Sequence, residues 1–301
     1  MLGYEYNLRF LRALIFFIIM KTIDILGVKI NVLTADEAIS QAEFFLTSNK
    51  TGKYIVTANP EIVLTAKKYP DYRQILNDSV LTVADGVGLL WAAEFLNQPG
   101  NIINAFFISL YKFLFKRQEL KDLKENIAGV DLLVKICKLA ARKNYSVYLL
   151  GGLPETARLT AEKLKKHLPN LKIVGVSTGP LVDLKFIDDK MVFNDAQLLI
   201  TEINKINGLH PDILFVAFGA PKQEIFLHEY LKNIPSVKLA MGVGGSFDFL
   251  SGKVKRAPQV FRDLNLEWLW RLIHEPWRLK RIFNATVSFV YFIVKYRVLG
   301  R

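Results

Sequence analysis

Six short apolar runs, each halted by glycine, proline or a polar cluster, constrain this chain more than any other feature. They are Tyr54–Thr57, Val80–Val83 and the segments 145–150, 171–177, 211–218 and 237–242. Helical patterns separate them. Alternation of short buried strands with helices predicts the α/β class: a mostly parallel, Rossmann-like sheet with helices on both faces. The first two runs end in polar clusters, Thr57, Asn59, Pro60 and Glu61 after one, Asp85, Gly86 and Gly88 after the other. Ligands of open α/β sheets sit outside the carboxyl ends of the strands. If these strands are parallel neighbours, a hydroxyl, an amide and a carboxylate converge on one crevice.

Three units are expected. Residues 1–22 form an apolar N-terminal segment, 23–257 the α/β core, and 258–301 a basic helical appendage. Within the core, a small hairpin is expected around Gly27, and Thr34 with Glu37 makes a capping box for the first helix. Pro60 and Pro154 open helices. A long helix is predicted near Ile187–Ile206, with Asp188 and Asp189 at its start, where acids suit the helix dipole better than a metal.

Charge is unevenly placed. The net charge is +12, and residues 252–301 hold eleven Lys/Arg against three acids. Such a tail points to phosphates, whether of nucleic acid, anionic lipid or a phosphorylated ligand. Long apolar runs interleave the basic residues, which suits a membrane surface and argues against nucleic acid. The chain is also apolar for an enzyme, at 51% hydrophobic residues and mean hydropathy +0.22. Ala13–Met20, preceded by Arg9 and Arg12, is too short to span a bilayer. It reads as a surface anchor or a packed helix. Asn101–Arg117 carries five aromatics and no acid, and fits either a helix in the bilayer interface or one packed on the protein.

The single cysteine, Cys137, excludes an internal disulfide and a Cys-rich zinc site, and its apolar helical neighbours place it in the core. The four histidines, 167, 210, 228 and 274, have no ligand spacing, so no metal is expected. Gly151-Gly152 after a strand is read as a tight turn, because G-G-L-P-E-T lacks the dinucleotide fingerprint. F-G-A-P-K-Q-E at 218–224 follows another strand, where Lys222 and Gln223 can touch a base or a phosphate. G-V-G-G-S-F-D at 242–248 lets backbone approach a flat ligand, with Asp248 on a ribose or base edge. Asp85 is the candidate general base. Arg271, Arg278 and Arg281 share helical spacing and can clamp a diphosphate or form a solvated edge, although Pro276 interrupts the helix.

These motifs, T-A-N-P-E, V-A-D-G-V-G, A-G-V-D-L-L, F-G-A-P-K-Q-E, G-V-G-G-S-F-D and L-E-W-L-W-R-L-I-H-E-P-W-R, occur in the order seen in the WecG/TagA/CpsF glycosyltransferases. The resemblance runs from about Ile23 to Arg281. It implies an inverting, metal-independent and cofactor-free transfer of an N-acetylmannosamine-type sugar. The implied donor is a UDP-sugar and the implied acceptor an undecaprenyl-diphosphate-linked sugar, in cell-surface polysaccharide or teichoic acid synthesis. It implies Asp85 and Thr57 as catalytic residues, and Asn59, Gln223, Asp248, Arg271, Arg278 and Arg281 as substrate-binding ones. It further implies peripheral attachment to the cytoplasmic face of the cell membrane, and it leaves homo-oligomerisation open. Two departures stand out. Asn126 occupies a place where the family usually carries arginine, and the segment 101–117 is an addition. The alternative expectation is a non-catalytic nucleotide- or lipid-binding protein on the same scaffold.

Overall fold

The computed structural model describes residues 20–48, 50–116, 119–120, 122–187, 190–264, 266–276 and 279–300. At its centre six strands run parallel: β3 (Lys53–Ala58), β4 (Leu81–Ala84), β5 (Ser146–Gly151), β6 (Lys172–Ser177), β9 (Ile213–Ala217) and β10 (Leu239–Gly242). Their order is β4-β3-β10-β9-β5-β6. The chain fills one side first, then the far side, and lays β9 and β10 between them last. The two-stranded hairpin β1 (Thr22–Ile25) and β2 (Val28–Asn31) precedes the sheet, turning at Leu26 and Gly27. Helix α1 (Ala35–Thr47) starts from the expected box, in which Thr34 Oγ1 accepts the Glu37 N–H at 3.2 Å and Glu37 accepts the Thr34 N–H at 2.7 Å.

The strands are buried on both faces, and their two-residue period sorts side chains into two cores. Tyr54, Val56 and Ala58 join one core together with Leu214, Val216 and Ala240. Against it pack α2 (Pro60–Lys68), α3 (Pro70–Asn77), α4 (Val87–Asn97), α8 (Ala196–Leu209), α9 (Lys222–Tyr230) and the last helix, α14 (Phe289–Val298). Ile55, Val83, Phe215 and Met241 face the other core, built with α1, α6 (Gly129–Lys143), α7 (Thr156–His167) and α10 (Ser246–Ser251). Cys137 is fully buried there.

Two elements differ from expectation. Residues 184–193 form an antiparallel hairpin, β7 (Leu184–Ile187) with β8 (Lys190–Phe193), and the helix begins only at Ala196. Asp195 caps it by accepting the Leu198 N–H. Phe193 of β8 is buried against the core, as is Val182 two residues before β7, and that tertiary contact outweighs the local helical pattern. Asp188 and Asp189 themselves lie outside the described residues. Helix α7 begins at Thr156, two residues after Pro154, because Glu155 takes a left-handed backbone before it.

The aromatic segment forms α5 (Ile102–Phe115). Its Ala105 and Ser109 are buried, and Phe106 meets Trp91 and Phe95 of α4 edge-on at 6.0 Å. After Pro258 the chain is helical: α11 (Gln259–Asp263), α12 (Glu267–His274), α13 (Leu279–Phe283), a π-helical turn at Asn284–Ser288, and α14. Phe289 and Ile293 bury α14 against the core. The Arg297 guanidinium donates to the carbonyls of Phe95, Gln98 and Gly100, which closes the C-terminal end of α4. Tyr296 donates to Asp24 Oδ1 at 2.7 Å. The basic flank of this helix is thus partly committed to the protein itself. No helix among the described residues is long and apolar enough to cross a membrane. Of the apolar start, Met20, Lys21 and Thr22 are described, Thr22 as the first residue of β1, and residues 1–19 lie outside the described residues.

Candidate active site

Neighbouring parallel strands β3 and β4 pair Thr57 with Val83 and Ala58 with Ala84. The Asp85 N–H continues the ladder to the Ala58 carbonyl at 2.7 Å. Because side chains alternate along a strand, Thr57 follows Ile55 and Asp85 follows Val83 onto the α6 side of the sheet. Both therefore open into one hollow at the carboxyl ends of the strands. A β-carbon placed on Gly129 would stand 3.1 Å from Asp85 Oδ2 and 3.4 Å from Thr57 Oγ1. The glycine at the start of α6 is what leaves room for both groups.

The loop before α6 holds the aspartate at three successive points. Ile127 N–H donates to the Ala84 carbonyl at 2.8 Å, Gly129 N–H to Asp85 Oδ2 at 3.0 Å, and Gly86 N–H to Asn126 Oδ1 at 2.6 Å. The residue at the start of α6, Ala128, offers no side-chain cap, so Asp85 serves as that cap from another strand. Gly86 has φ +143°, a region that disfavours any side chain, and it turns the chain directly into α4. Asn126 is thus a positioning residue. At this position it supplies an acceptor to the turn, which an arginine could not do.

Burial pushes the Asp85 carboxyl up to about 6, with the Gly129 hydrogen bond opposing and the nearby Glu267 and Asp131 carboxylates adding to the rise. Arg256 pulls the other way. Its guanidinium forks onto Asp131 with two 2.6 Å hydrogen bonds and lies 3.7 Å from Glu267. Arg256 thereby joins the first turn of α6 to α12 of the appendage, above Asp85. In the sequence, Arg256 and Glu267 were part of an undifferentiated basic tail. Nothing in their spacing marks them as partners of Asp131.

Thr57, Asn59, Asp85, Gln223, Asp248 and Arg271 all line one cavity of about 880 Å³. Thr57 Oγ1 donates to the Gly242 carbonyl at 3.3 Å. Asn59 Oδ1 accepts the Ile62 N–H at 3.0 Å and caps α2. Gln223 is buried and spans two groups, accepting the Gly244 N–H at 2.8 Å and donating to Glu224 at 2.7 Å. Glu224, fully buried, also accepts from Tyr72 at 3.0 Å. This chain of bonds shapes the 242–245 loop from beneath. Burial raises the Glu224 carboxyl above its ordinary range. Asp248 lies on the short helix α10, which follows that loop.

Lys222 also lines the cavity, and it donates to the Val182 carbonyl at 3.1 Å and pairs with Asp183. It pins the segment before β7 to the cavity rim. Gly151-Gly152 is a turn, as expected. A β-carbon on Gly151 would sit 2.8 Å from the Ala217 carbonyl, and Gly152 N–H donates to that oxygen. Arg271 pairs with Glu275 at 3.2 Å and stacks over Phe249 at 5.1 Å. Arg278 and the side chain of Arg281 lie outside the described residues, so the expected three-arginine face is represented by Arg271. Arg262, not singled out by sequence, also lines the cavity.

The family model for the glycosyl transferase WecG/TagA/CpsF family matches residues 23–119 and 112–301, two stretches that meet at the end of α5. Curated relatives agree with it. One from Bacillus spizizenii W23 is 32% identical over 240 residues, 80% of this chain and 78% of the relative. Another from Bacillus subtilis 168 is 32% identical over 246 residues, 82% and 81%. A third from Staphylococcus aureus MRSA252 is 30% identical over 274 residues, 91% and 92%. All three are named N-acetylglucosaminyldiphosphoundecaprenol N-acetyl-beta-D-mannosaminyltransferase. Matched over most of its length by that family model and by these relatives, the chain belongs to the WecG/TagA/CpsF family and is a glycosyltransferase.

Proposed function

We propose that the protein transfers an N-acetylmannosamine-type sugar from its UDP conjugate to a hydroxyl of an N-acetylglucosamine carried on a polyprenyl diphosphate, with inversion at the anomeric carbon. The observation that carries the mechanism is the Asp85 carboxylate, fixed by Gly129 beside Thr57 and poised near neutrality. Asp85 takes the proton of the acceptor hydroxyl as its oxygen bonds to the anomeric carbon. The bond from that carbon to the β-phosphate oxygen breaks, and its electron pair leaves with UDP. Asp85 then loses the proton to solvent.

Thr57 orients the acceptor from the neighbouring strand. Gln223 and Asp248, at the exits of β9 and β10, hold the nucleotide end with the Gly242–Gly245 backbone, and Asn59 flanks the sugar. Arg271, together with Arg278 and Arg281, balances the charge that develops on the leaving diphosphate. The reaction takes place at the cytoplasmic face of the cell membrane, where the lipid-linked acceptor resides, and the protein binds that surface peripherally. The names of the relatives and the six ordered motifs support this choice of donor and acceptor.

Incubation with a panel of UDP-sugars and an N-acetylglucosaminyl-diphospholipid, read by mass, tests the reading. A product heavier by one N-acetylhexosamine is expected with UDP-N-acetylmannosamine. Absence of product from every donor removes the transferase assignment proposed for these substrates.

A further inference from the structure

The cavity that ends at Asp85 has a second wall whose chemistry the transfer reaction leaves unused. On one side α5 presents Phe106, Leu110 and Phe113; on the other, the C-terminal helices present Ile282, Ala285 and Phe289. Trp91 of α4, stacked on Phe95 at 5.3 Å, lies at the same wall. This apolar slot is continuous with the polar end. A β-carbon on Gly88, three residues from Asp85, would lie 3.9 Å from the Phe289 ring and 3.0 Å from Pro60. Beyond the slot, both of its walls are apolar outside as well. Phe107 and Tyr111 of α5 are 63% and 52% exposed, and Phe283 and Tyr291 opposite are 55% and 59% exposed. The exposed positions 279, 283, 287 and 291 recur every four residues, as do 103, 107 and 111.

We propose that this slot seats the first isoprene units of the polyprenyl-diphosphate acceptor, so that α5 and the C-terminal helices together select the lipid part of that substrate. The inference rests on the acceptor class proposed above. Its independent support is continuity: one cavity is lined by the base Asp85, by Arg262 and Arg271 and by the apolar slot, and exposed apolar stripes run along α5 and the C-terminal helices that wall it. Such a lipid joins a hydroxyl-bearing sugar, a diphosphate and a hydrocarbon chain, and the one cavity offers a base, arginines and an apolar wall. A free sugar phosphate would leave the channel empty. Ala285 leaves width for the chain where a larger side chain would fill it.

The test measures binding of inorganic pyrophosphate, geranyl diphosphate and farnesyl diphosphate to the full chain by equilibrium dialysis. Each buried methylene contributes roughly fourfold in affinity. Net burial of three to four methylenes' worth of the farnesyl chain corresponds to about a hundredfold tighter binding than pyrophosphate, with geranyl diphosphate between. Ala285→Trp, and independently Leu110→Gln, should weaken farnesyl diphosphate at least tenfold while leaving pyrophosphate and UDP binding unchanged. Equal affinity for the three probes in the unaltered protein overturns the assignment, and this comparison needs no variant to fold. So does an Ala285→Trp protein that loses all three ligands equally. If a second copy of the chain fills the slot instead, sedimentation shows a dimer that Ala285→Trp dissociates, without chain-length dependence, and the assignment fails. Absence of sugar transfer with every donor would remove the catalytic reading alone, because the chain-length series does not depend on turnover.

Discussion

The carboxylate of Asp85, at the end of one strand, accepts the backbone N–H of Gly129, which begins a helix forty-four residues later, at 3.0 Å. One side chain thereby closes an otherwise uncapped helix and is held at a fixed angle in the cavity. Among the described residues its Oδ1 accepts no hydrogen bond, and under the proposed mechanism that oxygen meets the acceptor hydroxyl. Burial and the carboxylates of Glu267 and Asp131 counteract the stabilising hydrogen bond, which is why the group titrates near 6 rather than near 3.8.

Asp85→Asn separates the two duties. The asparagine carbonyl still accepts the Gly129 N–H, while its amide cannot take a proton. Turnover should fall by about 10²–10⁴ with the fold retained. The folded-state value of Asp85 lies above that of an exposed aspartate, so folding takes up a proton between about pH 4 and pH 6. The carboxylate therefore lowers stability as pH rises through that window and imposes a constant penalty above it. At pH 7 Asp85→Asn should melt at or above the temperature of the parent. Asp85→Ala should also lose activity, and it should be about 1 kcal/mol less stable than Asp85→Asn, because the cap is gone. Single-turnover assays with calorimetry check both.

The pH profile has a defined direction. As the proposed base, Asp85 acts deprotonated, so kcat should fall as pH drops through about 6. Glu267→Gln removes a charge that raises Asp85 and also leaves Arg256 with one carboxylate fewer, so the acid limb should move to lower pH. Arg256→Met should move it to higher pH. Identical profiles for the parent and both variants would falsify the link between the appendage and the base.

Gly129→Ala places a methyl 3.1 Å from Asp85 Oδ2 and 3.4 Å from Thr57 Oγ1. The neighbours must give way by a few tenths of an ångström. Turnover should drop at least tenfold, since small displacements of a reacting group are costly, while the melting temperature changes little. Steady-state kinetics and circular dichroism decide it.

Tyr72→Phe leaves the buried Glu224 carboxylate one donor short. Stability should fall by about 1–3 kcal/mol, the cost of an unsatisfied buried acceptor. UDP-sugar binding should weaken too, because Gln223 and the Gly244 loop hang on the same chain of bonds. Urea melts and calorimetric titration test the two effects together.

Arg297→Met frees the carbonyls of Phe95, Gln98 and Gly100 and unpins the last helix from α4. Hydrogen bonds to a charged donor contribute about 1.5–3 kcal/mol, so hydrogen exchange across 284–298 should quicken before the global melt shifts.

What the sequence determined by itself was everything governed by local period and local chemistry. Strand–helix alternation specified the α/β class, β-branched runs located the strands, and Thr34, Pro60 and Gly27 announced their cap, helix start and turn. That the exits of β3 and β4 face one cavity was legible because parallel neighbours must open to the same side. The motif order carried the family. Only the tertiary structure decided the rest, because it depends on partners far apart in the chain. The pairing of Arg256 with Asp131 and Glu267, the cap that Asp85 lends to Gly129, and the commitment of Lys222 to Val182 leave no periodic trace. A hairpin formed from β7 and β8 where a helix was expected because Phe193 gains burial there. The double character of α5, one face on Trp91 and Phe95 and the other exposed, was equally invisible. An apolar residue reads the same in sequence whether it meets a protein core or the outside, and only packing says which.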